Sequence, residues 1–344
     1  MIERAAPSTI VDVAKAAGVS VATVSRALRG LDRVSAQTRA KVQQVADELH
    51  YVASPTATSL ASGRTHIIGV VVPFASRWYF ASMVSALGKA LRAQGYQVLL
   101  FDLEENEFNT RLTLTRSMLW KRVDGVVSIN VPMSEDELQL LRSLHVPVVS
   151  LGYWFPDLAT VGINDAEAAR LATQHVIDLG HHDIAYVGSE LEDAALTHTP
   201  RSRCEAFTEC LRSHGRTVRP DWIVPSDWTA AQSRALGESL LTGPGPRPSA
   251  VVCGSDEIAF GVQVAARAAG LRLPEELSIV GIDDHALAEL FDLTTVRQDI
   301  SAQAEQASAL LLAELRNPDP AWAPSIEMPV ELIVRGSTAP PPAP

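Results

Sequence analysis

The segment TIVDVAKAAGVSVATVSRAL, Thr9 to Leu28, decides how the N-terminal part of this chain folds. Val13, Ala14 and Ala17 recur at helical spacing, and Thr9 stands where a helix is capped. Gly18 is the residue type that closes a helix in the left-handed conformation. Ser20 caps a second helix, Val21 to Leu28, which stops at Gly30. Val13, Ala14, Ala17, Val24 and Leu28 supply the contact between the two helices, and small side chains there let them approach closely, as a helix-turn-helix requires. The second helix then presents Val21, Ala22, Ser25 and Arg26 outward. A face of small residues fits a major groove roughly 12 Å wide, and the Arg26 guanidinium can bond guanine O6 and N7 together. Ser20, Thr23 and Ser25 suit phosphate or base contacts. Ser35 caps a third helix through Lys41, Val42, Val45 and Leu49.

The chain has 344 residues and a net charge of −11, which at first argues against nucleic acid. The charge is uneven. Residues 1–66 carry eight Lys and Arg against five acids, or +3, which leaves −14 for the rest. A basic head on an acidic body confines phosphate attraction to one end. No apolar run reaches the ~18 residues of a membrane helix, and the first ten residues lack the apolar core of a secretory signal. Cys204, Cys210 and Cys253 are too few and too scattered for a disulfide framework or a metal knot, so a cytoplasmic location is expected. The spacing of His175, His181, His182 and His198 does not suggest metal ligation. Neither a metal nor a cofactor is expected.

From Thr65 onward apolar runs alternate with helical segments, beginning Ile67–Val72 then Ala81–Arg92, and continuing through Thr110–Trp120 to Leu277–Ile282. This is the pattern of βαβ units and parallel sheets, so the body belongs to the α/β class. Two series of similar length imply two similar lobes. Tyr51 to Arg64 is a linker with one helical turn, Thr56 to Ser62. The proline-rich end, Ser337 to Pro344, is expected to be disordered.

The head resembles the N-terminal signature of the lactose/galactose repressor (LacI/GalR) family. The residues that carry the likeness are Asp12-Val13-Ala14, Gly18-Val19-Ser20, Thr23-Val24-Ser25-Arg26, Val34-Ser35, Thr38-Arg39, Val42 and Tyr51. The resemblance implies DNA contacts from Thr9, Ser20, Val21, Ala22, Thr23, Ser25, Arg26, Arg29, Ser35, Thr38 and Tyr51. Val21 and Ala22 occupy the paired positions that tune base choice, and being apolar they favour thymine methyl contacts. It further implies that residues 53–65 form a hinge helix on DNA, with Leu60, beside Ala57, wedged into the minor groove. Thr58 and Ala53-Ser54-Pro55 depart from the common form of that hinge.

The body resembles the same family's core, which is built like periplasmic sugar-binding proteins. The likeness rests on Ile68-Gly69-Val70, Arg122 to Val126, Leu179-Gly180-His181, Cys253 to Asp256, Val280 to Asp284 and Leu293 to Val296. The implied organisation is a helix-turn-helix head at 1–52, a hinge at 53–65 and a core at 66–336. Within the core, the first lobe takes 66–161 and 294–325, and the second takes 162–293 and 326–336. The implied effector site comprises Tyr79, Phe80, Arg203, Trp228, Ser255 and Asp283. By residue type alone Asp283 is equally a turn aspartate, Trp228 a core residue and Arg203 a surface one. Gly152 stands where many members carry an acid.

The function implied is a DNA-binding transcriptional regulator, a repressor without enzymatic activity, whose operator affinity is set by a small molecule, a sugar or sugar derivative. Its expected partners are a near-palindromic operator, a carbohydrate effector and a second copy of the chain, with no membrane. The alternatives are a solute-binding protein and a nucleobase-responsive regulator. A nucleotide- or sugar-processing enzyme is disfavoured, because neither a GxxxxGK[ST] phosphate loop nor a GxSxG elbow occurs.

Overall fold

The computed structural model describes residues 8–30, 32–52, 63–104, 111–189, 198–318 and 323–342. The chain divides into two compact units, Met1–Thr65 and His66–Pro344.

The first unit contains helices α1 (Ile10–Ala17), α2 (Val21–Leu28) and α3 (Ala36–Glu48). Each start is fixed by a hydroxyl. Thr9 and Asp12 form a reciprocal capping box, and the Ser20 and Ser35 hydroxyls accept the N–H groups of Thr23 and Thr38 at 3.1 Å. Gly18 ends α1 at φ +69°. Val13, Ala14, Ala17, Val24, Ala27, Val42 and Ala46 are buried together, with Ile10, Leu28, Leu49 and Tyr51 packed at their margin. Most of the centre is alanine and valine, which is what lets three short helices come this close.

The second unit holds two six-stranded sheets. The first comprises β1 (Ile67–Val72), β2 (Gln97–Asp102), β3 (Gly125–Ile129), β4 (Val148–Leu151), β5 (Ala159–Ile163) and β11 (Ser325–Met328), ordered β11-β5-β4-β3-β1-β2 and parallel throughout. The second comprises β6 (Ile184–Ser189), β7 (Ile223–Pro225), β8 (Ala250–Cys253), β9 (Ser278–Asp283), β10 (Thr294–Gln298) and β12 (Val330–Ile333), ordered β12-β10-β9-β8-β6-β7, with only β12 antiparallel. Helices cover both faces, so β3, β4, β6, β8 and β9 are buried along their whole length and read as unbroken apolar runs. The chain passes between the lobes at Asn164, Asp299 and Pro329.

These crossings correct the lobe boundaries. The sequence reading put 294–325 in the first lobe, yet β10 pairs with β9, Thr295 opposite Gly281, and lies in the second sheet. It also put 326–336 in the second lobe, yet β11 pairs with β5 in the first. A short apolar strand reads the same on either sheet, and only its pairing partner decides. The long helix expected over Thr110–Trp120 is also cut down, to Arg116–Leu119. Upstream of it, Arg111 and the Leu114 N–H are taken by Glu137.

Residues 337–342 are not a free tail. Ser337 donates to Ile279 O at 2.6 Å and accepts the Thr294 N–H at 2.8 Å. The Ala339 carbonyl lies 2.8 Å from His181 Nε2, and His175 Nε2 contacts the Thr338 hydroxyl at 2.9 Å. Proline enrichment suggested disorder, but this stretch is pinned across the base of the second lobe. His181 is buried there between Ser249, Ser278 and Ala339.

One buried ion pair braces the first lobe. Glu137 accepts from Arg111 at 2.7 and 2.5 Å and from the Leu114 and Ser134 N–H groups at 2.9 and 2.8 Å. Burial works to raise its pKa, but these donors outweigh burial and hold it at about 2. The folded pKa is depressed from 4.5, so the stabilisation is full above pH 4.5 and is lost as pH falls toward about 2. Glu137→Gln is expected to cost on the order of 3 kcal/mol at pH 7 and to flatten the acid limb of a Tm-against-pH curve. An unchanged acid limb would show that the pair contributes nothing.

Candidate functional site

Two sites emerge, one in each unit. In the head, α2 turns Val24 and Ala27 inward and leaves Val21, Ala22, Arg26 and Arg29 exposed, with Thr23 and Ser25 half-buried. Thr9, Ser20 and Ser35 are exposed N-caps, and Thr38 is half-buried one turn into α3. Tyr51 packs its ring against the head core. Ala57 and Leu60 lie outside the described residues. The exposed α2 face is therefore narrow and apolar at its start and cationic toward its end, a shape and charge that a major groove accepts.

In the core, the site forms at the C-terminal ends of the strands, where open α/β sheets bind ligands. Its centre is Arg203, on the helix Thr199–Ser213 and only 3% exposed. Its Nε and Nη2 donate to Asp165 at 2.8 and 2.7 Å, and Nη1 donates to Gly254 O at 2.6 Å. Asp283 Oδ1 lies 3.9 Å from Nη1 and accepts Gln298 Nε2 at 2.7 Å. Gln303 Nε2 donates to Gln298 Oε1 at 3.2 Å, which completes a chain from Asp165 to Gln303. The Trp228 indole stands 5.7 Å from the guanidinium carbon. An open groove of about 790 Å³ borders the cluster, sharing Asp283 and Gln298 and running along Ala81, Ser85 and Lys89 of the helix Trp78–Arg92.

Electrostatics follow from this packing. Burial disfavours the Arg203 charge, but Asp165 and Asp283 outweigh it and raise the Arg203 pKa. Burial pushes the Asp283 carboxyl above its ordinary 3.8 against the pull of Arg203 and Gln298. Asp256, wholly buried below it, is raised by burial and then by Asp283, although it accepts from the Thr295 hydroxyl at 2.6 Å and the His285 N–H at 2.8 Å. Burial, then the charges of Asp165 and Asp283, raises the Tyr79 hydroxyl as well.

Local backbone choices make room for these groups. A Cβ on Gly281 would lie 2.1 Å from Asp256 Oδ1, and one on Gly254 would lie 3.1 Å from both Trp228 Cζ2 and Tyr186 Oη. Asp283 (φ 136°), Trp228 (φ 65°) and Asn130 (φ 49°) are held at positive φ at or beside strand ends. Such conformations persist only where the surroundings over-determine them, and they gather at ligand clamps. Gly152, at φ +78°, faces Asn130 so closely that a Cβ would lie 2.2 Å from Oδ1, so an acid there would strain the backbone and require the Asn130 side chain to move.

The structure brings Arg203, Asp283, Trp228 and Tyr79 together. Phe80 is 7% exposed, edge-on to Phe74 and Tyr79 within the first-lobe core. The Ser255 hydroxyl accepts the Ile258 N–H at 3.3 Å as an N-cap. Sequence reasoning missed Asp165, Gln298, Gln303 and Asp256. For Asp165 a signal existed, since it opens a helix directly after the apolar run ending at Ile163. The lobes also touch at the rim, where the Trp78 ring lies 4.2 Å from that of His285 and the Trp78 N–H donates to Glu257.

A three-helix head followed by a two-sheet core with three crossings defines a class: a DNA-binding head attached to a periplasmic-binding-protein-like core. Residues 9–54 match the bacterial regulatory proteins of the lacI family, and 173–338 match the periplasmic binding protein-like domain. The repressor PurR of Pasteurella multocida is 33% identical over 341 residues, covering 96% of this chain and 98% of that protein. The lac repressor dimer bound to operator and the anti-inducer ONPF superposes with TM-score 0.84 at 25% identity, covering 97% of this chain and 100% of that one. The regulator CelR in complex with cellobiose gives TM-score 0.69 at 27% identity, covering 96% and 99%. The chain belongs to the LacI family. It is a DNA-binding transcriptional regulator with an effector-binding core, and members of this family are regulators rather than enzymes. No helix among the described residues is long and apolar enough to cross a membrane.

Proposed function

We propose that this protein is a cytoplasmic repressor whose grip on a near-palindromic operator is controlled by a sugar or sugar derivative bound at Arg203, Asp165, Asp283, Trp228 and Tyr79. The observation that carries the reading is the buried Arg203–Asp165–Asp283 cluster at the strand ends, with an indole beside it. Carboxylates and a guanidinium set at fixed angles accept and donate to sugar hydroxyls, and an indole face covers the apolar side of a ring. The likeness to a regulator solved with cellobiose supports the same class.

The head would read DNA through Arg26 and the apolar pair Val21 and Ala22, with Thr9, Ser20, Thr23, Ser25, Arg29, Ser35, Thr38 and Tyr51 fixing the register. Leu60 and Ala57 would enter the minor groove when the hinge forms. A homodimer sets two α2 helices in successive major grooves, and the effector acts by binding one arrangement of the lobes better than the other. Arg26→Ala is expected to cost about 1–3 kcal/mol of discrimination against the wrong base while leaving salt-sensitive, non-specific binding. Fluorescence anisotropy with selected and scrambled duplexes checks this, and an unchanged ratio would remove Arg26 from base readout.

The effector site is tested by a thermal-shift panel of neutral sugars and nucleobases on wild type and Asp283→Ala. A sugar that stabilises wild type and not the variant supports the reading. A compound that stabilises both equally places the effector elsewhere, and a nucleobase as the sole hit changes the ligand class.

A further inference from the structure

The cleft holds an excess of carboxylate over guanidinium. Asp165 and Asp283 both face Arg203, at 2.7 and 3.9 Å, and Asp256 lies buried beneath them. Three nitrogens of Arg203 already donate to or pair with Asp165 and Gly254 O. Arg77, a cation beside the rim residue Trp78, stacks on Phe74 at 3.8 Å and is faced by Asp227 and Glu257. An anion reaching Arg203 therefore meets fixed negative charge and a guanidinium already opposed by Asp165. The unsatisfied groups are of another kind. Trp228 Nε1, a donor, and Gln303 Oε1, an acceptor, are buried without partners. A hydroxyl satisfies either one, since it both donates and accepts.

We propose that the cleft selects an uncharged, hydroxyl-bearing effector and excludes its phosphorylated or otherwise anionic forms, because Asp165 neutralises the guanidinium that an anion would need. Asp165 is then a specificity-determining residue that acts through Arg203. This rests on the cleft being the effector site, but the two ideas fail separately. The site fails if Asp283→Ala keeps its response to neutral compounds, whereas the charge selection fails in the phosphate experiment below.

The probe is inorganic phosphate at 20 mM against sodium chloride of equal ionic strength, read as the Tm of the full chain. The quantity scored is the phosphate-specific shift that Arg203→Gln removes. Wild type is expected to show none. Asp165→Asn, which frees the guanidinium, is expected to gain a rise of about 2 °C that the Asp165→Asn/Arg203→Gln double variant loses. Asp165→Ala removes the same carboxylate and is expected to gain a rise of the same sign, so it carries the test should Asp165→Asn not fold. An Arg203-dependent shift in wild type, or none in either folded variant, overturns the proposal.

Discussion

Replacing Arg203 by Leu is expected to destabilise the core by about 3–5 kcal/mol, the largest single-residue loss anticipated in this protein. The side chains of Arg203, Asp165 and Asp283 are only 4%, 15% and 8% exposed. Removing the guanidinium leaves the two buried carboxylates without their cation and strips the Gly254 carbonyl of its donor. Breaking a buried pair from one side costs far more than replacing both partners with apolar groups. The double variant Arg203→Leu/Asp165→Leu should therefore recover much of the loss. Urea unfolding of the two variants measures this, and a single-variant loss under about 1 kcal/mol would put the pair in the class of weak surface bridges.

Asp283→Asn has the second large effect, on function rather than folding. Asp283 Oδ1 is committed to Gln298, and the carboxylate is set at φ 136° by the loop behind it. That loop is anchored by Asp284 pairing with Arg335 at 2.7 Å and by the His285 N–H donating to Asp256 at 2.8 Å. An amide of the same shape offers one acceptor atom fewer, so a ligand that donates two hydroxyls loses one bond and meets an N–H instead. The expected result is a loss of effector affinity of about a hundredfold, the cost of about one hydrogen bond to a charged group, with operator binding retained. The stability change has the opposite sense. Burial raises the folded pKa of Asp283 above 3.8, so its stabilising contribution is full below pH 3.8 and is lost as pH rises through the folded pKa. Near neutral pH the ligand-free variant should melt no lower than wild type. A clear fall in Tm at pH 7 would show that the buried carboxylate stabilises the fold rather than waiting for a ligand.

The head was legible in the sequence because its determinants are local. Thr9, Gly18, Ser20 and Ser35 mark helix ends by chemistry that acts over three or four residues, and Val13, Ala17 and Val24 repeat at helical spacing. The lobes were legible as a class but not in their joins, since Thr294–Gln298 carries no mark of which sheet it joins. The cleft was legible only in part. Arg203, Asp283 and Trp228 stood out by resemblance, whereas Asp165, Gln298 and Gln303 acquire their roles when separate crossings bring strand ends to one place. Phe80 joins Tyr79 in the implied effector site because an aromatic pair gives no hint of which ring turns into the core.

The central claim is that occupancy of the Arg203–Asp283 cleft controls the grip of the head on DNA. It is tested by operator affinity of wild type and Asp283→Asn, on a duplex chosen by in vitro selection with the full chain. Each affinity is measured with and without the sugar that most stabilises wild type. The expected result is a change of about tenfold or more in wild type, within the range of typical coupling energies, and none in the variant at the same sugar concentration. An equal response in both proteins, or an operator affinity indifferent to the sugar that binds wild type, would contradict it.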